Sequence, residues 1–204
     1  AEETGHSIKL GEAILRKACL EAKHWWDSGL IAGRLSVNIS AVQLSSEHLA
    51  ERIKSILDET GFSAANLDLE ITESSVMTDQ KKAVQQMTKI KEAGIHISID
   101  DFGTGYSSLS YLQDFPINCL KIDRSFVSYI DKSSKEKNIV ASIISLAHHL
   151  NLTVIAEGVE TIEQQQILKE LQCEVIQGFL FSKPVPAGEL NKLLEKQTEC
   201  LPVA

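Results

Sequence analysis

The stretch IHISIDDFG, residues 95–103, places two adjacent carboxylates, Asp100 and Asp101, directly after a short run rich in isoleucine. A β-branched run of this length is too short for a helix and is typical of a buried strand. The glycine at position 103 indicates that the chain turns just beyond the two acids. The sequence therefore predicts a strand, Ile95–Ile99, whose carboxyl end leads into a pair of carboxylates.

The same unit, a short apolar run followed by a polar residue and a helical pattern, recurs along the chain. Helical periodicity stops at Gly29, Gly61 and Gly94, and the capping box Thr161–Gln164 begins a later helix. Strands that alternate with helices, and that read as buried on both faces, predict a parallel α/β sheet with right-handed crossovers. The predicted strands are Leu35–Ile39, Leu67–Ile71, Ile95–Ile99, Cys119–Ile122, Thr153–Ala156 and Glu174–Gln177, and two further helices are expected near Ser108–Leu112 and over Ala187–Lys196.

Polar residues at the ends of all six predicted strands distinguish between the two folds that this alternation allows. They are Asn38, Glu70, Asp100, Asp101, Lys121, Asp123, Glu157 and Gln177. An open doubly wound sheet would spread them over about 25 Å, at about 4.8 Å per strand. A closed barrel brings them together at the mouth where βα-loops build active sites. The sequence therefore favours a TIM-barrel-like (β/α)8 fold with about six of its eight strands visible.

The composition indicates a globular domain without an extended basic surface. The 204 residues include 20 Lys and Arg against 28 Asp and Glu, which gives a formal net charge of −8. The sequence has no dense basic run, which argues against a nucleic-acid polymer as partner. It also has no run of roughly 18 apolar residues, so no membrane contact is expected from this segment. The unpaired spacing of the four cysteines favours a reducing, cytoplasmic compartment.

The strand-end residues form an all-oxygen donor set of four carboxylates and one carboxamide: Glu70, Asp100, Asp101, Glu157 and Asn38. Such a set suits the hard ions Mg²⁺ or Mn²⁺ better than zinc or copper. Two ions roughly 3.5 to 4 Å apart would clamp a phosphodiester and ionise a water, while Lys121 could hold that water or a phosphate oxygen. Any one of these acids could instead be an ordinary helix cap, but the whole set favours a metal site.

Six motifs, in order and spacing, resemble those of the EAL-domain phosphodiesterases, bacterial enzymes that cleave cyclic di-GMP to linear pGpG. The resemblance implies two bound Mg²⁺ or Mn²⁺ ions, with Asn38, Glu70, Asp100, Asp101 and Glu157 as ligands. It also implies that Glu157 is a catalytic base and that Lys121 orients the attacking water. The motifs are VNIS at 37–40, LEITES at 69–74, DDFGTGYSSL at 100–109, LKID at 120–123, AEGVET at 156–161 and QG at 177–178.

The resemblance implies further roles around that site. Glu73 matches the acid that stabilises the loop Phe102–Ser108, which would couple dimerisation to metal binding. Asp123, Glu160 and Gln177 match positions that support the ligands or contact the substrate. By the same analogy the protein is expected to form a homodimer.

One family element is not found in the sequence, namely the strand that carries the Glu-Ala-Leu motif with a further metal-binding glutamate and a phosphate-binding arginine. We therefore expect residues 1–196 to be an N-terminally incomplete EAL domain and residues 197–204 to be a tail. Such a fragment is itself expected to be unstable or inactive, and sensor, cyclase or transmembrane domains often accompany this family. The leading prediction is a metal-dependent cyclic di-GMP phosphodiesterase. A non-catalytic cyclic di-GMP receptor or interaction module, and an inert structural fragment, stay open as alternatives.

Overall fold

Six parallel strands form one sheet in the order in which they occur along the chain. The computed structural model describes residues 6–30, 33–104 and 112–200. Within these residues β1 and β6 are the two edges, so the six strands do not close into a complete barrel. The strands are Leu35–Ile39 (β1), Leu67–Thr72 (β2), His96–Phe102 (β3), Cys119–Ile122 (β4), Thr153–Ala156 (β5) and Val175–Ile176 (β6).

Helices lie in the connections from β1 to β2, from β2 to β3, from β4 to β5 and from β5 to β6, as expected for right-handed crossovers between parallel neighbours. They are His6–Asp27 (α1), Ala41–Leu44 (α2), Leu49–Thr60 (α3), Glu73–Thr78 (α4), Gln80–Glu92 (α5), Arg124–Val127 (α6), Ser134–His149 (α7), Ile162–Glu170 (α8) and Ala187–Cys200 (α9), and a 3₁₀ turn covers Ala64–Asn66. No helix of the described ranges is both long enough and apolar enough to cross a membrane.

The predicted elements agree with the structure at most of their boundaries. Strands β1, β4 and β5 have the predicted limits, and both hydrogen bonds of the capping box at Thr161 are present. The helix α9 continues to Cys200, four residues past the predicted end at Lys196. The helix expected near Ser108–Leu112 falls largely at 105–111, outside the described residues.

Two strands differ from their predicted limits in a way that matters for the site. β3 continues past Ile99 to Phe102, because it pairs with β2 as far as Asp100 and with β4 at Phe102. β6 contains two residues instead of four. The carboxylates at positions 100 and 101 therefore lie within the end of β3 and not after it.

The two faces of the sheet differ in polarity. One face is apolar and packs in the hydrophobic core, as the buried Leu69 and Ile97 illustrate. The other face carries polar side chains that are also buried, among them Asp68, Glu70 and Lys121. The prediction of strands buried on both faces is right for β2, β3 and β4, whereas β1, β5 and β6 carry exposed residues. The buried part of the second face is lined by charged groups that require partners.

Candidate active site

The carboxyl ends of neighbouring strands bring most of the predicted site residues together. Asn38 of β1 lies opposite Glu70 of β2, so their side chains share one face of the sheet. The backbone N–H of Glu157 donates to the carbonyl of Ile122 at 3.1 Å, which places Glu157 beside the end of β4. Asn38 is exposed at the rim, whereas Glu70 is buried.

Lys121 is the centre of this group of side chains. Its Nζ lies 2.6 Å from Oε1 of Glu157, 2.8 Å from Oε2 of Glu70 and 3.2 Å from Oδ1 of Asp100. The lysine is only 2% exposed. Three carboxylates around one buried ammonium leave excess negative charge, which favours binding of a further cation.

The pKa values of Lys121 and Glu157 reflect this crowding. Burial alone would lower the pKa of Lys121, but hydrogen bonds to Glu157 and Glu70 and the charges of these two acids raise it above its ordinary value. Burial raises the pKa of Glu157, and the charges of Asp100 and Glu70 add to this effect against the opposing effect of Lys121. The lysine is therefore protonated, and the pKa of Glu157 lies above the ordinary value of a glutamate.

A distortion of β3 turns two adjacent carboxylates towards one place. The pairing register with β4 shifts between Ile99 and Phe102, and Asp101 has a positive φ of 55°. In a regular strand Asp100 and Asp101 would point to opposite faces. Here one oxygen of each lies within 4.8 Å of the other and of a Glu157 oxygen. Burial, followed by the charges of Asp100 and Asp123, raises the pKa of Asp101.

This geometry fits a divalent cation. Asp100, Asp101 and Glu157 offer three converging carboxylate oxygens, a set that suits a hard ion. Burial is the main cause of the raised pKa values of Asp101 and Glu157, and the like charges of neighbouring acids add to it. A bound dication would relieve that repulsion, so the residues present are compatible with the expected metal.

Glu73 and Asp123 fix the backbone next to the cluster. Oε2 of Glu73 accepts a hydrogen bond from the N–H of Gly103 at 3.0 Å, which joins α4 to the segment after β3. Asp123 caps α6 by accepting from the N–H of Ser125 at 3.0 Å. Residues 105–108 of the loop that Glu73 is predicted to stabilise lie outside the described residues.

The described contacts of Glu160 and Gln177 are not with the acidic cluster. Glu160 binds the guanidinium of Arg124 at 2.6 Å. Gln177 is exposed, and its backbone donates to the carbonyl of Ala156 and accepts from the N–H of Val159. Both residues thus make contacts that hold the segment after Glu157.

Two polar residues near the site were not predicted from the sequence. Asp68 is buried two residues before Glu70, on the same face, and accepts from Ser98 at 2.7 Å and Ser36 at 3.2 Å. The alternation of acids at 68 and 70 was a signal that could have identified it. Arg124 directly follows Asp123, which was predicted. A single basic residue next to an acidic site was the signal that could have identified it.

Comparisons with known proteins agree with this description. The EAL domain family model matches residues 1–184. The cyclic di-GMP phosphodiesterase NbdA of Pseudomonas aeruginosa is 39% identical over 194 residues, which cover 95% of this chain and 25% of that protein. The chain spans about a quarter of the length of the curated relatives that it matches first.

Solved structures show the same fold. The MucR phosphodiesterase of Pseudomonas aeruginosa, in complex with cyclic di-GMP, is 40% identical and superposes with a TM-score of 0.89 over 93% of this chain and 77% of that one. BlrP1 of Klebsiella pneumoniae, in complex with manganese and cyclic di-GMP, is 30% identical with a TM-score of 0.79, over 87% of this chain and 45% of that one. These similarities confirm the predicted TIM-barrel-like fold. On the family match and these relatives, the chain belongs to the EAL domain family.

Proposed function

We propose that the protein hydrolyses cyclic di-GMP to linear pGpG in a metal-dependent reaction. The observation that carries this proposal is the contact of Lys121 with three carboxylates at the carboxyl ends of parallel strands. That is the end of the fold at which enzymes of this architecture bind their substrates. Relatives that are named as phosphodiesterases and solved with cyclic di-GMP support the choice of substrate.

In this proposal the chain's own residues position the water and the phosphate. Glu157 accepts a proton from the attacking water, since burial raises its pKa towards the working range of a base. Lys121 remains protonated and donates a hydrogen bond to the water or to a phosphate oxygen. The water oxygen bonds to phosphorus as the bond to the ribose 3′ oxygen breaks. The leaving 3′ oxygen takes up a proton, balanced by the one that Glu157 accepted, so the products are a 5′ phosphate and a 3′ hydroxyl.

The proposed metal ligands are the strand-end oxygens of Asn38, Glu70, Asp100, Asp101 and Glu157. The convergence of three of these acids supports the set, and the preference of carboxylates for hard ions supports Mg²⁺ or Mn²⁺, two per site. When bound, such ions neutralise charge on phosphoryl oxygens and lower the pKa of a coordinated water. Asp123, Glu160 and Gln177 would support this site or contact the substrate from its rim.

A homodimer is the proposed assembly. The resemblance to the family relates dimerisation to the loop that begins at Phe102, and the hydrogen bond between Glu73 and Gly103 supports a role for α4 in holding the start of that loop. Light scattering on the full-length protein, with and without Mn²⁺, tests this assembly. A monomer under both conditions would contradict it.

The test of the function is a hydrolysis assay on the full-length protein with cyclic di-GMP. We expect linear pGpG with Mn²⁺ or Mg²⁺ and no product with EDTA. The variant Lys121→Met should lose turnover, whereas the matched variant Lys82→Met, at an exposed lysine on α5, should retain it. Tight binding of cyclic di-GMP without product under every metal condition would contradict hydrolysis and favour a receptor.

A further inference from the structure

Arg124 links the ends of three neighbouring strands at the rim of the site. It is the first residue of α6, directly after β4 and Asp123. Its guanidinium contacts Oε1 of Glu160, which follows β5, at 2.6 Å. Its Cζ also lies 6.0 Å from the ring centroid of Phe179, which follows β6, within the range of a cation–π contact.

The side-chain stem of Arg124 lies directly on the residue that follows Glu157. A Cβ added at Gly158 would lie 2.2 Å from Cγ of Arg124 and 2.7 Å from its Cβ. Gly158 also has a positive φ of 69°, which an L side chain rarely adopts. Glycine at position 158 therefore allows the arginine side chain to pack against the backbone after Glu157.

Other contacts hold the same segment at its far side. The side-chain oxygen of Gln164 accepts from the N–H of Glu160 at 2.8 Å. The N–H of Val159 donates to the carbonyl of Gln177 at 3.0 Å. This segment is thus held by Gln177, directly after β6, and by Gln164 of α8, and Arg124 supplies the contact from the side of β4.

The ion pair itself contributes little to folding, because both partners are largely exposed. The side chains of Arg124 and Glu160 are 57% and 42% exposed, and exposed pairs of this kind have small effects on stability. Glu157, by contrast, has a largely buried side chain against Lys121. The Arg124 contacts therefore concern the backbone next to this carboxylate more than overall stability.

We propose that Arg124 is a positioning residue: through Gly158 and Glu160 it holds the Glu157 carboxylate against Lys121 and in the acidic cluster. This inference rests on the proposed function, since it adds a residue to the same site. Groups that orient metal ligands typically change metal affinity by 10- to 100-fold when they are removed. Loss of Arg124 should therefore weaken metal binding. The effect is indirect, because the described ion pair of Arg124 is with Glu160 and not with an acid of the cluster.

The expected effects depend on how much of the side chain is removed. Arg124→Ala removes the stem and the charge, and should weaken Mn²⁺ binding about 10-fold. Arg124→Met keeps a stem over Gly158, and Glu160→Gln removes only the charge of the partner, so each should have a smaller effect. Arg16→Ala is the matched control, because Arg16 of α1 forms an exposed ion pair with Glu59 of α3 that includes no residue of the cluster.

The experiment titrates the full-length protein with Mn²⁺ by calorimetry and measures cyclic di-GMP turnover in parallel. For Arg124→Ala we expect weaker Mn²⁺ binding and a lower kcat, with KM for cyclic di-GMP little changed. Unchanged Mn²⁺ affinity in Arg124→Ala and Arg124→Met would overturn the inference, and a raised KM alone would identify Arg124 as a substrate contact instead. If Arg124→Ala does not fold, a wild-type Mn²⁺ affinity in both Arg124→Met and Glu160→Gln overturns it equally. Because the titration needs no substrate, it decides this inference even if the wild type fails to hydrolyse cyclic di-GMP.

Discussion

The Nζ of Lys121 lies 2.6 Å from Oε1 of Glu157, and the two side chains are only 3% and 19% exposed. The contact arises because β4 and β5 pair Lys121 with Ile155, two residues before Glu157. Paired residues and residues two apart share a face of the sheet, so the lysine and the glutamate meet at the strand ends. Glu70 and Asp100 approach the same ammonium from the other side.

Replacement of Lys121 by Met should destabilise the metal-free protein. It leaves three carboxylates near one another without their counter-ion, and removal of one partner from a buried ion pair costs about 3–5 kcal/mol. Urea unfolding in EDTA should show this loss in the free energy of unfolding, and Mn²⁺ should restore part of it. Lys82→Met is the control, and equal stability of the two variants in EDTA would contradict the account.

Replacement of Glu73 by Ala should loosen the backbone after β3. The partly buried N–H of Gly103 loses the carboxylate that accepts it, and the cost is expected near the lower end of the about 1–3 kcal/mol that an unmet buried donor costs. Hydrogen exchange at Gly103 should become faster, and turnover should fall. Glu73→Gln keeps an acceptor oxygen, so it should lie between the wild type and Glu73→Ala. Unchanged exchange at Gly103 in Glu73→Ala would be inconsistent with this role.

His96 should make stability dependent on pH at the amino end of β3. Burial, followed by the charge of Arg34, lowers its pKa, and Lys91 acts in the same direction against the opposing effect of Asp68. As the pH falls below about 6.5, the unfolded chain takes up this proton first, so the free energy of unfolding decreases until the folded protein is protonated as well.

The variant His96→Gln should show a smaller decrease over the same range. Urea unfolding of both proteins between about pH 7.5 and about pH 5.5 measures the difference. Parallel curves for the wild type and the variant would show that His96 does not contribute.

Replacement of Gly178 by Ala should disrupt the packing of β6 against the segment after Glu157. An added Cβ would lie 2.1 Å from the carbonyl oxygen of Val159 and 2.3 Å from its nitrogen, and these are backbone atoms that cannot rotate away. We expect a loss of about 3 kcal/mol in the free energy of unfolding and reduced turnover.

The matched variant is Gly188→Ala, on α9, where an added Cβ meets nothing within 4 Å. Alanine is favoured over glycine in a helix, so this variant should be as stable as the wild type or slightly more stable. Equal melting temperatures for the two alanine variants would contradict the assigned packing of Gly178.

Much of the fold could be predicted from the sequence because the residues that begin and end its helices and strands act locally. The helix α3 ends where Gly61 adopts a positive φ of 66°, and α8 begins at the capping box of Thr161, as the residue types indicate. The strand limits of β1, β4 and β5 follow from runs too short for a helix that contain apolar residues. Such signals depend on neighbouring residues only.

The less predictable parts of the site depend on contacts between distant segments. The turn of Asp101 towards Asp100 requires the register shift between β3 and β4, which no local pattern encodes. The position of Arg124 over Gly158 requires α6 and the end of β5 to meet. Strand-end position alone also grouped Gln177 with the acids, whereas its described contacts are backbone hydrogen bonds to Ala156 and Val159.

The most direct test of the account compares turnover and binding of cyclic di-GMP in the wild type and in Glu157→Gln, both as full-length proteins with Mn²⁺. The amide keeps the size of the side chain but cannot take up a proton from water, and removal of a general base typically costs about 100- to 10,000-fold in rate. We predict that Glu157→Gln still binds cyclic di-GMP while production of pGpG falls by at least about 100-fold. Production of pGpG at the wild-type rate by Glu157→Gln would contradict the assignment of this strand-end cluster as the catalytic site.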